Sequence, residues 1–195
     1  MKSFLLKFFS FFLLITLVTP SQAEEKQKQP ESMAKVAVGE LAPSFQIKDS
    51  NGKTIDLAEL TSNGPVLLRL TCGCAGCDKE LTYFKEVSEA YKGKGLTSLY
   101  VFKEPDAKVQ KYVKEKNLSL LYAVDSKGEA WNTFQTKTMP SNFLIEKGGK
   151  IVAIATGCEV SGLIAQKVSE KAAKLVETIP VDVKTKVDQK NKQSK

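Results

Sequence analysis

The chain has 195 residues, a formal net charge of +7 and no histidine. Without histidine, Ser-His-Asp triads, Cys-His proteases and His-ligated metal sites are excluded. The excess positive charge comes from scattered lysines with no aromatic residues between them, so a nucleic-acid partner is not expected. The length suits one domain that can bury a hydrophobic core.

Residues 1–23 have the pattern of a secretory signal peptide. A basic start precedes an apolar run over residues 8–18, and Ser21-Gln22-Ala23 places small residues where signal peptidase requires them. The run is too short to span a bilayer, so no stable membrane insertion is expected after cleavage. We therefore predict export to the periplasm, or an extracellular or membrane-tethered protein if the leader stays uncleaved.

The rest of the chain predicts a linker over residues 24–37, followed by alternating strands and helices. Asn51-Gly52 is a strong turn pair between two alternating segments. Residues 65–71 form a short apolar run, which predicts a strand buried on both faces. The apolar spacing then becomes helical. In chain order the sequence predicts strands at 44–47, 54–57, 65–71, 96–102, 118–124, 141–146 and 150–156, and helices at 77–91, 106–116, 128–134 and 160–176.

This order of elements predicts the fold class. Strand–helix alternation implies parallel pairing with right-handed crossovers, and the hairpin around Gly148-Gly149 adds antiparallel strands at one edge. We predict an α/β three-layer sandwich around a mixed central sheet, with an added N-terminal β-hairpin. The domain is expected to span residues 38–179, and the Lys-rich residues 180–195 are expected to form a disordered tail.

A Cys-x-x-Cys sequence, Cys74-Ala75-Gly76-Cys77, lies between the buried strand and the following helix. The unpaired N–H groups of a helix N-terminus favour a thiolate at the first cysteine. Cys77 begins the apolar stripe of the helix, so it should be shielded while Cys74 faces solvent. This arrangement predicts Cys74 as the attacking nucleophile and Cys77 as the resolving thiol. A static disulfide or half of a zinc site is the alternative.

Several segments together carry a family resemblance: Gly39-Glu40-Leu41-Ala42-Pro43-Ser44-Phe45, Gly52-Lys53-Thr54-Ile55-Asp56-Leu57, Cys74-Ala75-Gly76-Cys77-Asp78-Lys79-Glu80, Met139-Pro140-Ser141-Asn142-Phe143-Leu144-Ile145 and Gly148-Gly149-Lys150-Ile151-Val152. In this order they resemble the TlpA/ResA/CcmG-like branch of the thioredoxin superfamily. The resemblance implies a thioredoxin-like fold and an extracytoplasmic thiol–disulfide oxidoreductase that exchanges electrons with protein thiols and disulfides. It also implies a membrane electron donor, a pathway such as cytochrome c maturation, and no cofactor.

The resemblance adds three site residues to the two cysteines. Pro140 matches the family's cis-proline, which packs against the disulfide and leaves backbone free to pair with an extended substrate. Met139 would then face the bound partner. Glu80 matches an acid that serves as a proton acceptor near the cysteines, and one helical turn from Cys77 suits that role. An ordinary trans proline and a surface glutamate are the alternatives.

The sequence departs from the family pattern around the cysteines. Gly73 stands where thioredoxins usually carry tryptophan, and Leu68 replaces their buried acid. Arg69 lies inside the buried strand, so it requires a carboxylate partner, which the sequence does not identify. The Ala75-Gly76 pair lacks the histidine of strongly oxidising sites, which favours a reductant.

Cys72 and Cys158 are two further cysteines that the fold is expected to bring to the same edge of the sheet, one strand apart. They could form a second redox pair, or remain inert buried thiols. No resident metal is assigned. Gathered thiolates do suit Cu(I), so the alternative function is a Cu(I)-binding or metallochaperone module of the same fold.

A peroxidase of the peroxiredoxin type is the nearest rival among enzymes. It needs a Pro-x-x-x-Thr-x-x-Cys stretch and a later arginine that polarises the peroxide. Thr71 and Cys74 fit this pattern, but Leu67 occupies the proline position. The only arginine of the chain, Arg69, precedes the cysteine. Peroxidase activity is therefore disfavoured.

Overall fold

The computed structural model describes residues 35–193. The predicted signal peptide and residues 24–34 of the predicted linker lie outside the described residues. Of the helices within 35–193, none combines the length and the apolar character that a membrane span requires. The elements are β1 Gln46–Lys48, β2 Thr54–Asp56, α1 Leu57–Asn63, β3 Val66–Thr71, α2 Ala75–Lys92, β4 Thr97–Phe102, α3 Asp106–Glu115, β5 Leu121–Val124, α4 Glu129–Thr133, β6 Ser141–Ile145, β7 Ile151–Thr156, α5 Leu163–Leu175 and α6 Val183–Gln193.

The central sheet has five strands in the order β5-β4-β3-β6-β7. The β3 strand pairs in parallel with β4 and antiparallel with β6, and every residue of β3 is buried. Arg69 in this strand lies opposite Tyr100 of β4 and Asn142 of β6. The predicted mixed sheet is confirmed, and so is the single strand, β6, between the strands that lead to Cys72 and Cys158.

Helices cover both faces of the sheet, as the predicted three-layer sandwich requires. On one face α2, α3, α5 and α6 enclose a core that includes Phe84 and Tyr91. On the other face α1, α4 and the antiparallel β1–β2 hairpin enclose a core that includes Phe45, Trp131 and Phe134. The predicted α/β fold with an added N-terminal hairpin is therefore confirmed.

Helix α1 is absent from the sequence prediction, which placed Leu57 at the end of a strand. The side chain of Asp56 accepts hydrogen bonds from the backbone N–H groups of Ala58, at 2.8 Å, and Glu59, at 3.4 Å. This is an ordinary N-cap interaction, which satisfies amide groups that have no partner within the helix. The cap therefore ends β2 and begins α1 one residue earlier than the predicted strand boundary.

The prediction of a disordered tail over residues 180–195 is wrong, since residues 183–193 form α6. Val183 and Val187 lie one helical turn apart and are both buried against the α2–α5 face of the domain. Two valines at this spacing give even a Lys-rich segment an apolar stripe that can pack. The lysines of α6 remain largely on the solvent side, so overall composition concealed the stripe.

Candidate active site

The Cys74–Cys77 pair lies where the central strand β3 ends and α2 begins. Cys74 is the N-cap residue of α2, and its carbonyl accepts a hydrogen bond from the Asp78 amide at 2.9 Å. Its side chain is exposed, whereas Cys77 is only 2% exposed. The predicted contrast between an accessible first thiol and a shielded second thiol is therefore present in the fold.

Cys72 lies closer to this pair than the sequence suggested. Its Sγ is 2.6 Å from Sγ of Cys74 and 3.3 Å from Sγ of Cys77. All three sulfur atoms lie within 4.8 Å of one another. Cys72 is only 8% exposed, so a large partner can reach this group most easily through Cys74.

Cys158 lies apart from the three-sulfur group. Its exposed thiol donates a hydrogen bond to the Gly76 carbonyl at 2.9 Å. Gly76 belongs to the segment from Cys72 to Cys77 that joins β3 to α2, which is called the active-site turn below. All four cysteines are free thiols. Of the two alternatives for Cys72 and Cys158, a second redox pair or inert thiols, neither is tested by an arrangement of free thiols, but Cys72 contacts Cys74 and Cys77 and not Cys158, because β3 ends directly beneath the turn that carries them.

The environment lowers the pKa of Cys74 to about 7. The largest cause is the hydrogen bond from the Cys72 thiol, followed by the backbone N–H of Cys77. Burial raises the pKa of Cys72, and its contacts with the neighbouring sulfurs raise it further. Cys72 is thus the protonated donor and Cys74 the thiolate, so a substantial fraction of Cys74 is nucleophilic at neutral pH.

Glu80 is the partner that Arg69 requires. Arg69 Nη2 lies 2.9 Å from Glu80 Oε2, and neither side chain is exposed. Arg69 Nη1 donates to Asn142 Oδ1 at 2.7 Å, and the guanidinium lies 4.4 Å from the centre of the Phe84 ring. Burial raises the pKa of Glu80, and the nearby Arg69 opposes that rise. Glu80 is therefore a buried, oriented carboxyl group beneath the cysteines and not a surface glutamate.

Tyr112 of α3 and Lys116, the residue that follows α3, contact the first turn of α2 from outside. Tyr112 donates a hydrogen bond to Asp78 at 2.9 Å, and Lys116 pairs with the same carboxylate at 2.6 Å. A Cβ atom at Gly73 would lie 3.3 Å from the Tyr112 ring. The glycine that replaces the family's tryptophan therefore lets Tyr112 lie directly against the turn between Cys72 and Cys74.

The Met139–Pro140 peptide bond is cis, as the family resemblance implied. Pro140 is buried, and its carbonyl accepts a hydrogen bond from the Gly157 amide at 2.9 Å. This bond joins the loop before β6 to the end of β7, one residue before Cys158. Met139 is half-buried, and its contact with a partner stays a prediction.

The sequence predicts Glu80 and Cys72 as site residues but leaves open the burial of Glu80 and the contacts of Cys72, although signals for both were present. Glu80 falls on the inward side of α2, between Cys77 and the buried Phe84, so its spacing already indicated burial. Cys72 is the first residue after a fully buried strand, so its side chain could be expected near the interior. The contact of Tyr112 with Asp78 had no comparable signal, because it joins two helices across the tertiary fold.

Comparisons with known proteins agree with this geometry. Residues 38–154 match the family model for the AhpC/TSA family. The thiol-disulfide oxidoreductase ResA of Bacillus thuringiensis is 34% identical over 119 residues, which cover 60% of this chain and 69% of that protein. ResA of Bacillus subtilis is 27% identical over 130 residues, which cover 66% of this chain and 73% of that protein. A protein from Chlorobium tepidum, provisionally described as the thiol:disulfide interchange protein DsbE, has the same fold, with a TM-score of 0.66 at 21% identity over 73% of this chain and 99% of that one.

Proposed function

Because this chain belongs to the AhpC/TSA family and is a thiol–disulfide oxidoreductase, we propose that it reduces disulfides of protein partners outside the cytoplasm through Cys74 and Cys77. The observation that carries the proposal is the exposed Cys74 at the N-terminus of α2, whose pKa is lowered to about 7, above the buried Cys77. A thiolate of this kind attacks disulfides at neutral pH, and the shielded thiol of Cys77 then completes the exchange by resolving the mixed disulfide.

The reaction transfers two electrons to the partner. The Cys74 thiolate attacks one sulfur of the partner's disulfide, forming a mixed disulfide and releasing the partner's other sulfur as a thiolate. Cys77 then loses its proton and attacks Cys74 Sγ, which breaks the mixed disulfide and frees the second partner thiolate. The partner leaves as a dithiol and this protein keeps a Cys74–Cys77 disulfide. A membrane electron donor is proposed to reduce that disulfide again.

Glu80 is proposed to accept the proton that Cys77 gives up. Its carboxyl group lies one helical turn further along α2, and burial raises its pKa, which makes it a better base than an exposed glutamate. Arg69 and the Glu159 amide, at 3.4 Å from Glu80 Oε1, hold the group in one orientation. The raised pKa of Glu80 and its fixed orientation both support its proposed role as the proton acceptor.

Two exposed apolar residues that follow Cys158, whose thiol contacts the Gly76 carbonyl, support an extended protein partner. Val160 is 52% exposed and Leu163 is 53% exposed, and both follow β7 beside the Met139–Pro140 loop. Exposed apolar side chains can cover the backbone of a bound segment and exclude water. Met139 is proposed to contact the same segment. Cytochrome c maturation is one pathway that would use such a reductant.

Peroxide reduction is disfavoured by the position of Arg69. A peroxidase needs a cationic group that can touch the bound peroxide, but this guanidinium is buried between the sheet and α2, where it contacts Phe84 and is paired with Glu80. Moving it into the active site would leave an unpaired buried carboxylate, at a cost of several kcal/mol. Arg69, the only arginine of the chain, therefore stays buried in its ion pair and does not contact a bound peroxide.

A redox titration tests the proposed direction of electron flow. The protein is equilibrated with mixtures of reduced and oxidised glutathione, and its disulfides are mapped by mass spectrometry. We expect a reduction potential near that of thioredoxin, about −270 mV. A value near about −120 mV, as in strong oxidants, would contradict the proposed reductant. In parallel, Cys74→Ser should abolish the reduction of insulin disulfides, while Cys158→Ser should retain it.

Cu(I) binding is a second candidate function, supported by the three-sulfur group. The sulfur atoms of Cys72, Cys74 and Cys77 lie within 4.8 Å of one another, and thiolates are preferred ligands of Cu(I). Titration of the reduced protein with Cu(I) against a competing chelator tests this candidate. Cys72→Ser should weaken binding by at least about tenfold, or about 1.4 kcal/mol. Cys158→Ser should leave it unchanged, and equal affinity of both variants would exclude the site.

A further inference from the structure

Cys72 has a position that the two-cysteine reaction does not use. Its sulfur is 2.6 Å from Sγ of Cys74 and 3.3 Å from Sγ of Cys77, so it lies in direct contact with both members of the pair. Resolution of a mixed disulfide requires a second thiol next to Cys74 Sγ. Cys72 meets this requirement as directly as Cys77 does.

We propose that Cys72 is a second resolving thiol, so that a mixed disulfide on Cys74 can be released by either of two neighbours. This inference rests on the proposed function, because it concerns the second half of the same exchange. Oxidised protein would then contain a Cys72–Cys74 disulfide as well as the Cys74–Cys77 disulfide. The three sulfurs act as one exchange unit with one accessible member.

The step balances as an ordinary thiol–disulfide exchange. Cys72 loses its proton and attacks Cys74 Sγ, a Cys72–Cys74 bond forms, and the bond from Cys74 to the partner breaks. The partner's sulfur leaves as a thiolate and takes up the released proton. The partner gains two electrons and the protein loses two. Cys77 can then attack Cys74 of the new disulfide, which converts it to Cys74–Cys77 and returns Cys72 to the thiol form.

The chain between the two cysteines permits this bond. Only Gly73 separates them, so their Cα atoms lie within about 7 Å of each other, close to the range that disulfides span. Glycine has no Cβ and adjusts its backbone more freely than any other residue. The end of β3 fixes Cys72, while Cys74 lies at the first turn of α2, so the turn at Gly73 can bring the sulfurs together.

Burial makes Cys72 an internal reactant. At 8% exposure its thiol is shielded from a large partner, whereas Cys74 is exposed. The raised pKa of Cys72 keeps the thiol protonated while Cys74 carries the negative charge. Formation of the mixed disulfide removes that charge and the contact through which it raises the pKa of Cys72, so the Cys72 proton is released more readily for the attack.

Cys158 supplies the matched control. It is also an extra cysteine of the same domain, but its thiol contacts the Gly76 carbonyl and lies outside the three-sulfur group. A Cys158→Ser background removes the other exposed thiol, so that reagents attack Cys74 first. All variants are compared in this background, and far-UV circular dichroism verifies that each is folded.

One equivalent of 5,5′-dithiobis(2-nitrobenzoate) tests the inference by counting released thionitrobenzoate. C158S should release two per protein, the first on attack by Cys74 and the second on resolution. C77S/C158S should also release two, and peptide mapping should then find a Cys72–Cys74 disulfide. C72S/C77S/C158S should stop at one and keep the adduct on Cys74.

The outcomes separate this inference from the proposed function. If C77S/C158S stops at one thionitrobenzoate while C158S releases two, Cys72 does not resolve and the inference fails, although the two-cysteine reaction stands. If C74S/C158S reacts as fast as C158S, Cys74 is not the nucleophile and the proposed function fails instead. The second resolving role would also be overturned by peptide mapping. That result is a Cys74–Cys77 disulfide as the sole disulfide of oxidised C158S, together with a thionitrobenzoate adduct that stays on Cys74 in C77S/C158S.

Discussion

Arg69 and Glu80 form a fully buried ion pair directly beneath the active-site turn, with 2.9 Å between Nη2 and Oε2. Arg69 comes from the central strand β3 and Glu80 from the first turns of α2, so the pair joins the sheet to the helix that carries Cys77. Desolvation of two charges costs several kcal/mol, and the pair is maintained because each charge has a partner. A second hydrogen bond of the guanidinium, from Nη1 to Asn142 Oδ1, extends the connection to β6.

Removing one charge of this pair should destabilise the protein strongly. Glu80→Gln leaves the Arg69 guanidinium buried without a counter-ion, which should lower the free energy of unfolding by about 3–5 kcal/mol. Urea denaturation of the reduced protein measures this. Glu89→Gln is the control, since Glu89 pairs with Lys85 on the surface of the same helix at 3.8 Å.

The surface control should change stability by less than about 1 kcal/mol. A loss in Glu80→Gln as small as in the control would mean that water reaches Arg69 when its partner is neutral. The double variant Arg69→Met/Glu80→Leu removes both charges and should recover much of the lost stability, because no unpaired group remains. Its activity, compared with its recovered stability, tests the proposed role of Glu80 in proton transfer.

Cys74 should become alkylated with a midpoint near its pKa of about 7. The thiolate is the reactive form, so the rate of reaction with iodoacetamide rises as pH increases through about 7 and falls by about tenfold per pH unit below it. Measurement in the Cys158→Ser background from pH 5 to 9 gives the profile. The ordinary thiol pKa is about 8.5, so an unperturbed cysteine would show its midpoint there.

The contact with Cys72 should be the main origin of this shift. Cys72→Ala removes the thiol that donates to Cys74, so the alkylation midpoint should move from about pH 7 toward about pH 8.5, and the rate at pH 7 should fall by up to about tenfold. Cys77→Ala retains the backbone N–H that contributes the second cause, so its effect should be smaller. An unchanged midpoint in Cys72→Ala would assign the shift to the helix N-terminus instead.

Local patterns explain what the sequence could predict. The Asn51-Gly52 turn, the apolar strand before Cys74 and the helical spacing that follows Cys77 each have a short-range physical cause, and all three appear in the fold. The cis bond before Pro140 came from the family resemblance and not from spacing. These features required no knowledge of which distant residues would meet.

Tertiary partners explain what the sequence could not predict. Arg69 and Glu80 are 11 positions apart, and neither the strand pattern nor the helix pattern specifies which side chains face each other across the two elements. The sequence places Cys72 and Cys158 at one edge of the sheet and leaves their roles open, whereas the angle of the turn brings Cys72 against Cys74 and Cys77. The α6 helix escaped prediction because its two buried valines are outweighed by its lysines.

The lysines of α6 should contribute stability through Glu86. This carboxylate is nearly buried on α2 and pairs with Lys186 and with Lys190, the latter at 2.8 Å. Burial alone would raise the pKa of Glu86, but the two lysines reverse this and lower it below 4.5. The ion pairs of Glu86 therefore stabilise the folded protein fully at pH values above the pKa of a glutamate in the unfolded chain. This stabilisation is lost as the pH falls through the lowered pKa of Glu86 in the folded protein.

Lys186→Met/Lys190→Met should accordingly lower the free energy of unfolding by about 1 kcal/mol at pH 7, since both lysines are partly solvated. As the pH is lowered from 7 toward 3, Glu86 takes up a proton to an increasing extent, so the difference between the two proteins should decrease. Urea denaturation at the two pH values measures it, with Lys171→Met on the exposed side of α5 as control. A difference that persists unchanged at pH 3 would attribute it to packing of the lysine stems and not to charge.

Gly162 precedes α5 and lies close to α2, where a side chain has no room. Its φ is +81°, and an added Cβ would come within 2.5 Å of the Tyr83 ring. Tyr83 cannot easily move, because its hydroxyl donates to Asp188 of α6 at 2.6 Å. Gly162→Ala therefore combines an unfavourable backbone conformation with a steric overlap.

Gly148 separates these two contributions, since its φ is +91° but an added Cβ would have nothing within 4 Å. Gly148→Ala should lower the free energy of unfolding by about 1–2 kcal/mol, the cost of a left-handed L-residue. Gly162→Ala should lose about 1–3 kcal/mol more, as overpacking does in other cores. Equal losses in urea denaturation would show that the Tyr83 ring moves aside. In that case Gly162→Ala should cost the same in the Tyr83→Leu background as in the wild-type protein. Overlap with a fixed ring instead predicts a much smaller cost in the Tyr83→Leu background.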